Sequence, residues 1–358
     1  MTTTTGTSVC VCMVKGYLRM SNKCVLPFIN NDYQSNSPCC ILNDFKTDRD
    51  TQELLDDHRN NRKSKFCDIC WKMEDLGMTS KRQIANEHYK ESLAQTERAV
   101  STAVIPVGNV CNLYCITCGP TASTSWLKKY QHVYSGMPHD NAKVITNINL
   151  ADVRDVDNLK HVEFIGGETL RSASLWQYLE TLDKKKAFAL QTNGTVELTQ
   201  KQVELLASFE NFNICFSLDG YGKIFEYMRQ PAKWDKVCEN IKQYIKNFGI
   251  DRLSTYVTIS NLNILYVDDI VLNIFKILPC TIELNLVQHP VEFAYTNLSK
   301  HIGIAVEKNN PVFFKKHSIE WRGASSSLGV TLDNLKKQDK FSKLKLQDHL
   351  PELFKLLQ

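Results

Sequence analysis

The sequence predicts an α/β fold: an incomplete (β/α)6 TIM-type barrel of parallel strands, preceded by an irregular cysteine-rich domain. Three observations predict it. Short apolar runs recur as AVIPVG (103–108), HVEFIG (161–166), AFALQT (187–192), FNICFSLD (212–219), LSTYVTIS (253–260) and TIELNLVQ (281–288). Amphipathic stretches such as SLWQYLETLDKK and WDKVCENIKQYIKNFG lie between them. Polar or glycine-containing clusters follow the first four runs. Alternation of strand and helix builds a parallel sheet with crossover helices, and buried parallel strands read as short apolar runs. In such barrels chemistry gathers at the carboxyl ends of the strands.

Taken in order, residues 1–100 hold the cysteine segments NKCVLPF, SPCC and CDICW, separated by polar stretches. DTQELLDDHRNNRKSKF predicts a helix ending in a basic tail, and MTSKRQIANEHYKESLAQTERA a longer helix capped by Thr79 or Ser80. The strand–helix texture fills residues 101–300, where the helix after Trp234 stops at Gly249. Residues 301–358 form a helical extension, in which Lys336, Lys337, Lys340, Lys343 and Lys345 read as a solvated face.

The bulk numbers bound the function. With 358 residues, 43% of them hydrophobic and 23% charged, the chain has an ordinary globular composition and can bury a sizeable core. A net charge of +4, from 43 basic and 39 acidic residues, gives no support to a nucleic-acid or anionic-membrane partner. No apolar run approaches the roughly 20 residues that span a bilayer, and the first residues lack the pattern of a secretory signal. The expected compartment is the cytoplasm, where thiols stay reduced. There, the 13 cysteines point to metal more than to disulfides. Cys215, Cys238 and Cys280 stand singly and read as small core residues. Cys10 and Cys12, close together near the terminus, do not read as ligands.

The densest cluster is CNLYCITC, with Cys111, Cys115 and Cys118 in one short loop after the first run. A structural zinc site wants four ligands, so this loop would need His132 or His161 as well. An iron–sulfur cube takes one thiolate per iron, and three thiolates leave one iron open. An open metal position can bind and activate a small molecule. Gly166, Gly167 and Glu168 follow the second run, Thr192 and Asn193 the third, and Ser217 and Asp219 close the fourth. A tight turn explains any one of these clusters alone; four clusters rimming the same mouth favour a site.

CNLYCITC resembles the Cys-x3-Cys-x2-Cys loop of radical S-adenosylmethionine (SAM) enzymes. FIGGET resembles their Gly-Gly-Glu motif, LQTNGT and CFSLDG their third- and fourth-strand segments, and SLDGYGKIFEYMR the loop and helix that follow. The resemblance covers about residues 103–290. It implies that Cys111, Cys115 and Cys118 hold a 4Fe–4S cluster and that SAM binds the open iron. Gly166, Gly167 and Glu168 would meet the methionine amino group, and Thr192 and Asn193 the ribose. Ser217, Asp219 and Arg229 would face the methionine carboxylate, with Arg229 pairing to it. The implied activity is reductive cleavage of SAM to a 5′-deoxyadenosyl radical that abstracts hydrogen from a substrate. Two positions depart from the family pattern. Thr117 precedes the last cysteine where an aromatic or bulky apolar residue is usual, and Thr169 stands where proline follows Gly-Gly-Glu.

A second set consists of Cys24, Cys39, Cys40, Cys67 and Cys70. SPCC and CDICW resemble pieces of the SPASM and twitch modules, which carry auxiliary iron–sulfur clusters, and LVQHPVEFAYTNL resembles a twitch-type group that places its module first. The resemblance implies a second iron–sulfur cluster; a zinc ion and unliganded core cysteines are the other readings. By analogy the substrate is a peptide or protein side chain and the reductant a flavodoxin or ferredoxin. A nucleoside or nucleic-acid substrate, and a non-catalytic iron–sulfur redox sensor, are the alternatives.

Overall fold

The computed structural model describes residues 21–33, 37–39, 42, 46–133, 144, 159–287, 291–315, 317, 319, 321 and 326–358. One sheet organises them, with strands β1 (Asn30–Asp32), β2 (Thr102–Pro106), β3 (His161–Ile165), β4 (Ala187–Thr192), β5 (Phe212–Ser217), β6 (Leu253–Ile259) and β7 (Thr281–Leu286). Strand order equals chain order, and every neighbouring pair is parallel. This is an incomplete barrel, the fold class expected. The six apolar runs are β2 to β7.

β1 was not foreseen. Its sequence, Asn-Asn-Asp, has no strand pattern, and the pairing of Asn30, Asn31 and Asp32 with Thr102, Ala103 and Val104 makes it a strand. Tertiary context decides strand formation here more than propensity does. Side chains fix the register: Thr102 Oγ1 donates to Asn30 Oδ1 at 2.9 Å, and Asn30 Nδ2 to the Pro38 carbonyl at 3.0 Å.

Burial alternates along β3, β4 and β6, so these strands are less uniformly apolar than a doubly covered sheet requires. Val162, Phe164, Phe188, Leu190, Ile214, Phe216, Val257 and Ile259 belong to one core. Leu175 and Leu179 of α6 (Ala173–Thr181) join it, as do Leu206 of α7 (Gln200–Ala207) and Val237, Ile241 and Tyr244 of α9 (Trp234–Phe248). The spacing of the α9 residues makes one helical stripe. Helix α9 ends at Gly249 with φ +78°, as its sequence predicted. The alternate strand positions hold polar groups, including Glu163, Gln191, Tyr256 and Glu283. Gln191 Nε2 donates to Glu163 Oε1 at 2.7 Å, and burial pushes the Glu283 carboxyl up.

In the N-terminal third, α1 (Leu26–Ile29) leads into β1, and α2 (Asp48–Arg59) starts at a Thr47/Asp50 capping box. α3 (Asp68–Asp75) carries the CDICW segment. α4 (Lys81–His88) is capped by Ser80, one of the two expected caps, but it is much shorter than its sequence predicted. After the helix the chain turns through Lys90–Ser92, and further on Ala99 N and Ser101 N bond the carbonyls of Phe28 and Ile29 at 2.9 and 2.8 Å. That pairing carries it alongside the N-terminal segment into β2. α10 (Val267–Ile277) crosses over between β6 and β7, and after β7 come α11 (Lys300–Asn309), α12 (Pro311–Phe314), α13 (Ser326–Ser342), α14 (Leu346–His349) and α15 (Pro351–Leu356). Lys336, Lys337, Lys340, Lys343 and Lys345 are all exposed, as a solvated face requires. Among the described residues, no helix is long and apolar enough to cross a membrane.

Candidate functional site

The cysteine loop runs from β2 to α5 (Thr124–Val133), and both its flanks hold it. On the helix side, Thr124 Oγ1 accepts from Cys111 N at 3.1 Å, and Ser125 Oγ donates to the Cys111 carbonyl at 2.8 Å. Ser123 Oγ donates to the Leu113 carbonyl at 2.6 Å, and the buried Trp126 donates Nε1–H to the Cys115 carbonyl at 2.7 Å. On the other side, Tyr114 N and Ile116 N bond the carbonyls of Gln230 and Met228 at 2.7 and 2.9 Å, just beyond α8 (Gly222–Met228) and at its end. Leu113 and Ile116 are buried anchors, whereas Cys111, Cys115 and Cys118 are only half-buried.

The loop after β3 is bolted to this one. Gly167 N bonds Gly108 O at 3.0 Å, and Glu168 N bonds Val110 O at 2.8 Å. A Cβ on Gly166, where φ is +149°, would lie 2.4 Å from Gly108 O. One on Gly167 would lie 2.5 Å from Val110 O. Close approach of two backbones therefore requires both glycines.

Glu168 is fully buried and braces the next loop. Its carboxylate accepts from Thr192 Oγ1 at 2.8 Å, Asn193 N at 2.6 Å and Leu170 N at 3.2 Å. Burial pushes this carboxyl up while those bonds pull it down. Asn193 reaches back to the cysteine loop: Nδ2 is 3.1 Å from Asn112 Oδ1 and 3.9 Å from Cys111 Sγ. Asn112 in turn donates to Thr195 Oγ1 at 2.8 Å. Neither Asn112 nor Thr195 was foreseen, since an isolated asparagine or threonine in a loop carries no pattern.

Asp219 and Arg229 complete the mouth. Arg229 Nε stands 2.9 Å from Asp219 Oδ2, and both side chains are almost wholly buried. Asp219 Oδ1 accepts from Thr258 N at 2.9 Å, and Asn263 Nδ2 donates to the Asp219 carbonyl. Burial opposes the charge on Arg229, yet Asp219, Cys115 and Cys118 hold the guanidinium above its ordinary range. Burial pushes all three thiols up, that of Cys118 to about 11. Cys115 and Cys118 also repel each other and Cys111 as thiolates, while Arg229 pulls all three down. The bonds from Tyr114 and Ile116 to Gln230 and Met228 hold the cysteine loop to the residues on either side of Arg229. Ser217 closes β5, two residues before Asp219.

His161 stands at the opposite, amino end of β3, its ring 6.0 Å from that of His88. It is no partner for the cysteine loop. The His132 side chain lies outside the described residues. Among the described residues, no three His, Cys, Asp or Glu side chains are grouped to hold one metal ion. A cube does not ask for that, since each thiolate takes its own iron.

The N-terminal cysteines also converge. Cys24, Cys39, Cys67 and Cys70 are buried and line one pocket with Leu26, Pro27, Leu42 and Arg82. Burial, then the neighbouring Cys70, pushes the Cys24 thiol to about 12, and Cys67 is pushed up by burial, Cys24 and Cys70. Cys40, like Cys10 and Cys12, lies outside the described residues. Arg82 is clamped by Glu74, Nε to Oε1 at 2.9 Å and Nη2 to Oε2 at 2.7 Å, and lies over the Trp71 ring. His58 Nε2 is 3.6 Å from Cys67 Sγ. Burial holds the imidazole down to about 4. His58, Glu74 and Arg82 were not foreseen, because each reads as one more charged or polar residue on a helix. Cys215 is buried as expected, but Cys238 and Cys280 are half-buried, on α9 and just before β7.

No protein-family description matches this chain, and none of the curated proteins does. Among solved structures, the chain is similar to native anSMEcpe with bound AdoMet and Kp18Cys peptide, at 18% identity over 51% of each chain with a TM-score of 0.37. It thus spans about half the length of that protein. It is similar to Streptococcus suis SuiB bound to precursor peptide SuiA, at 12% identity over 86% of this chain and 69% of that one, with a TM-score of 0.41. It is also similar to TYW1 with a lysine-pyruvate adduct bound, at 16% identity over 60% of this chain and 72% of that one, with a TM-score of 0.32.

Proposed function

We propose that this chain is a radical SAM enzyme, with Cys111, Cys115 and Cys118 holding a 4Fe–4S cluster. One observation supports the reading: the loop carrying three half-buried sulfurs is bonded to the chain on either side of Arg229, which pairs with the buried Asp219, and Asn193, ordered by Glu168, reaches back to Cys111. The donor set fits the group. Three thiols leave one iron without a protein ligand, and Leu113 N at 3.4 Å and Asn193 Nδ2 at 3.9 Å point hydrogen-bond donors at Cys111 Sγ. When bound, the cluster and SAM supply a 5′-deoxyadenosyl radical that takes a hydrogen atom from a substrate.

The chain's own residues bind and orient. Arg229 offers a fixed guanidinium to the methionine carboxylate, and Asp219 sets its direction. Glu168 positions Thr192 and Asn193 at the ribose, while Gly166 and Gly167 let the second loop approach the cysteines. Ser217, at the end of β5, would face the same carboxylate. The experiment is anaerobic reconstitution with iron and sulfide, then addition of dithionite and SAM. Release of 5′-deoxyadenosine by the parent, and none by Cys115→Ala, is the expected outcome. Equal release by that variant would overturn the reading.

The same proposal extends to residues 1–100 as the domain of a second iron–sulfur cluster, held by Cys24, Cys39, Cys67 and Cys70. The support is their convergence in one buried pocket. Iron and zinc analysis of a Cys111→Ala/Cys115→Ala/Cys118→Ala chain separates a cluster from a zinc ion. By analogy with two-cluster enzymes, the substrate class is a peptide or protein side chain, and the reductant a flavodoxin or ferredoxin.

A further inference from the structure

His58 stands one layer behind the four-cysteine pocket. It is absent from the pocket wall, only 1% exposed, and shares the buried side of α2 with Leu54 and Leu55. Its ring joins two of the cysteines. Nε2 lies 3.6 Å from Cys67 Sγ, and Nδ1 lies 3.2 Å from Cys24 N and 3.0 Å from the Asn22 carbonyl.

A neutral imidazole carries one N–H, and two tautomers fit these contacts. In the first, Nδ1–H donates to Asn22 O, and the Nε2 lone pair faces the sulfur, which must then keep its proton. In the second, Nδ1 accepts from Cys24 N–H, and Nε2–H points at the sulfur. A metal-ligating cysteine has lost its proton to solvent. The first tautomer would then set a lone pair against a thiolate, and only the second makes a hydrogen bond to the sulfur, giving up the Nδ1–H bond to Asn22 O.

We propose that His58 is a positioning residue for a metal group bound by Cys24, Cys39, Cys67 and Cys70, donating Nε2–H to the Cys67 thiolate while Cys24 N–H fixes its tautomer. One ring thus spans two ligands: the backbone of the first sets the donor for the sulfur of the second. The inference rests on the four-cysteine reading above. Partners of this kind are worth about 10- to 100-fold in metal affinity.

The test uses the full chain bearing Cys111→Ala, Cys115→Ala and Cys118→Ala, titrated anaerobically with Co²⁺ alone. The parent should show a thiolate-to-cobalt charge-transfer band, and Cys70→Ala should lose it. His58→Asn places its amide near Nδ1, keeping an acceptor for Cys24 N–H without the donor to sulfur. His58→Gln places its amide near Nε2 and keeps that donor. Loss of the hydrogen bond leaves the thiolate richer in electrons. His58→Asn should therefore bind Co²⁺ about 10- to 100-fold more weakly and shift the band to lower energy, with His58→Gln close to the parent in both. The band position is read at saturating Co²⁺, on molecules folded around the ion. No band in the parent overturns the four-cysteine site itself. A band with His58→Asn matching the parent overturns the His58 role alone. Equal weakening in both variants without a shift also overturns it, leaving His58 as scaffold.

Discussion

Arg229 Nε and Asp219 Oδ2 meet at 2.9 Å, with the two side chains 10% and 2% exposed, at the mouth of the half-barrel. A buried pair is costly to assemble, and removing one partner strands the other charge away from water. Asp219→Ala should therefore destabilise the fold by about 3–5 kcal/mol, read as a lower urea midpoint with an unchanged slope. It should also weaken SAM binding, because Arg229 loses its orientation. Arg229→Lys will not substitute, since a point charge cannot keep a planar fork's geometry. An Asp219→Ala midpoint equal to the parent's would show that the pair has access to water.

Gly167 faces Val110 O so closely that any Cβ there would stand 2.5 Å from it, with Asn109 backbone atoms at 2.7 Å. These neighbours are backbone and cannot rotate away. Gly167→Ala should push the cysteine loop off its brace and cost about 1–3 kcal/mol, the usual range for overpacking. Iron bound per chain after reconstitution should fall along with stability. Full iron loading by this variant would mean that the loop absorbs the shift.

His161, at the start of β3, is half-buried beside His88, and that burial, with the neighbouring imidazole, holds it below its ordinary pKa. As pH falls below about 6.5, the unfolded chain takes up this proton before the folded one does. Stability contributed by the neutral ring is present above that pH and is lost as pH falls toward the folded value. The parent should lose more stability than His161→Gln between pH 7.5 and pH 5.5 in urea titrations. Identical losses would place the proton uptake elsewhere.

Much of this was legible because it depends on local pattern. The apolar runs that became β2 to β7 announced themselves, and so did three cysteines in one loop. The rest depends on contacts distant in sequence. β1 is polar at every position and exists through its partner Thr102–Val104. α4 stops at His88, and the segment beyond it, whose sequence reads as more helix, pairs instead with Phe28 and Ile29 at Ala99 and Ser101. His58 gains meaning only when α2 carries it to Cys67. The twin glycines were legible as a motif, yet their physical necessity, two backbones too close for a methyl group, needed coordinates.

The join between β1 and β2 has a consequence for the chain's behaviour in solution. β2 leads directly into the CNLYCITC loop, and among the described residues its outer flank is covered by the short strand Asn30–Asp32 and the Tyr33 N–H from the N-terminal third. Were that third to unravel, the flank would bare a row of unspent peptide groups, the kind of surface on which strands of separate molecules zip together. Asn30, Asn31 and Asp32 thus work as a guard rail, and clumping is the failure that its removal invites.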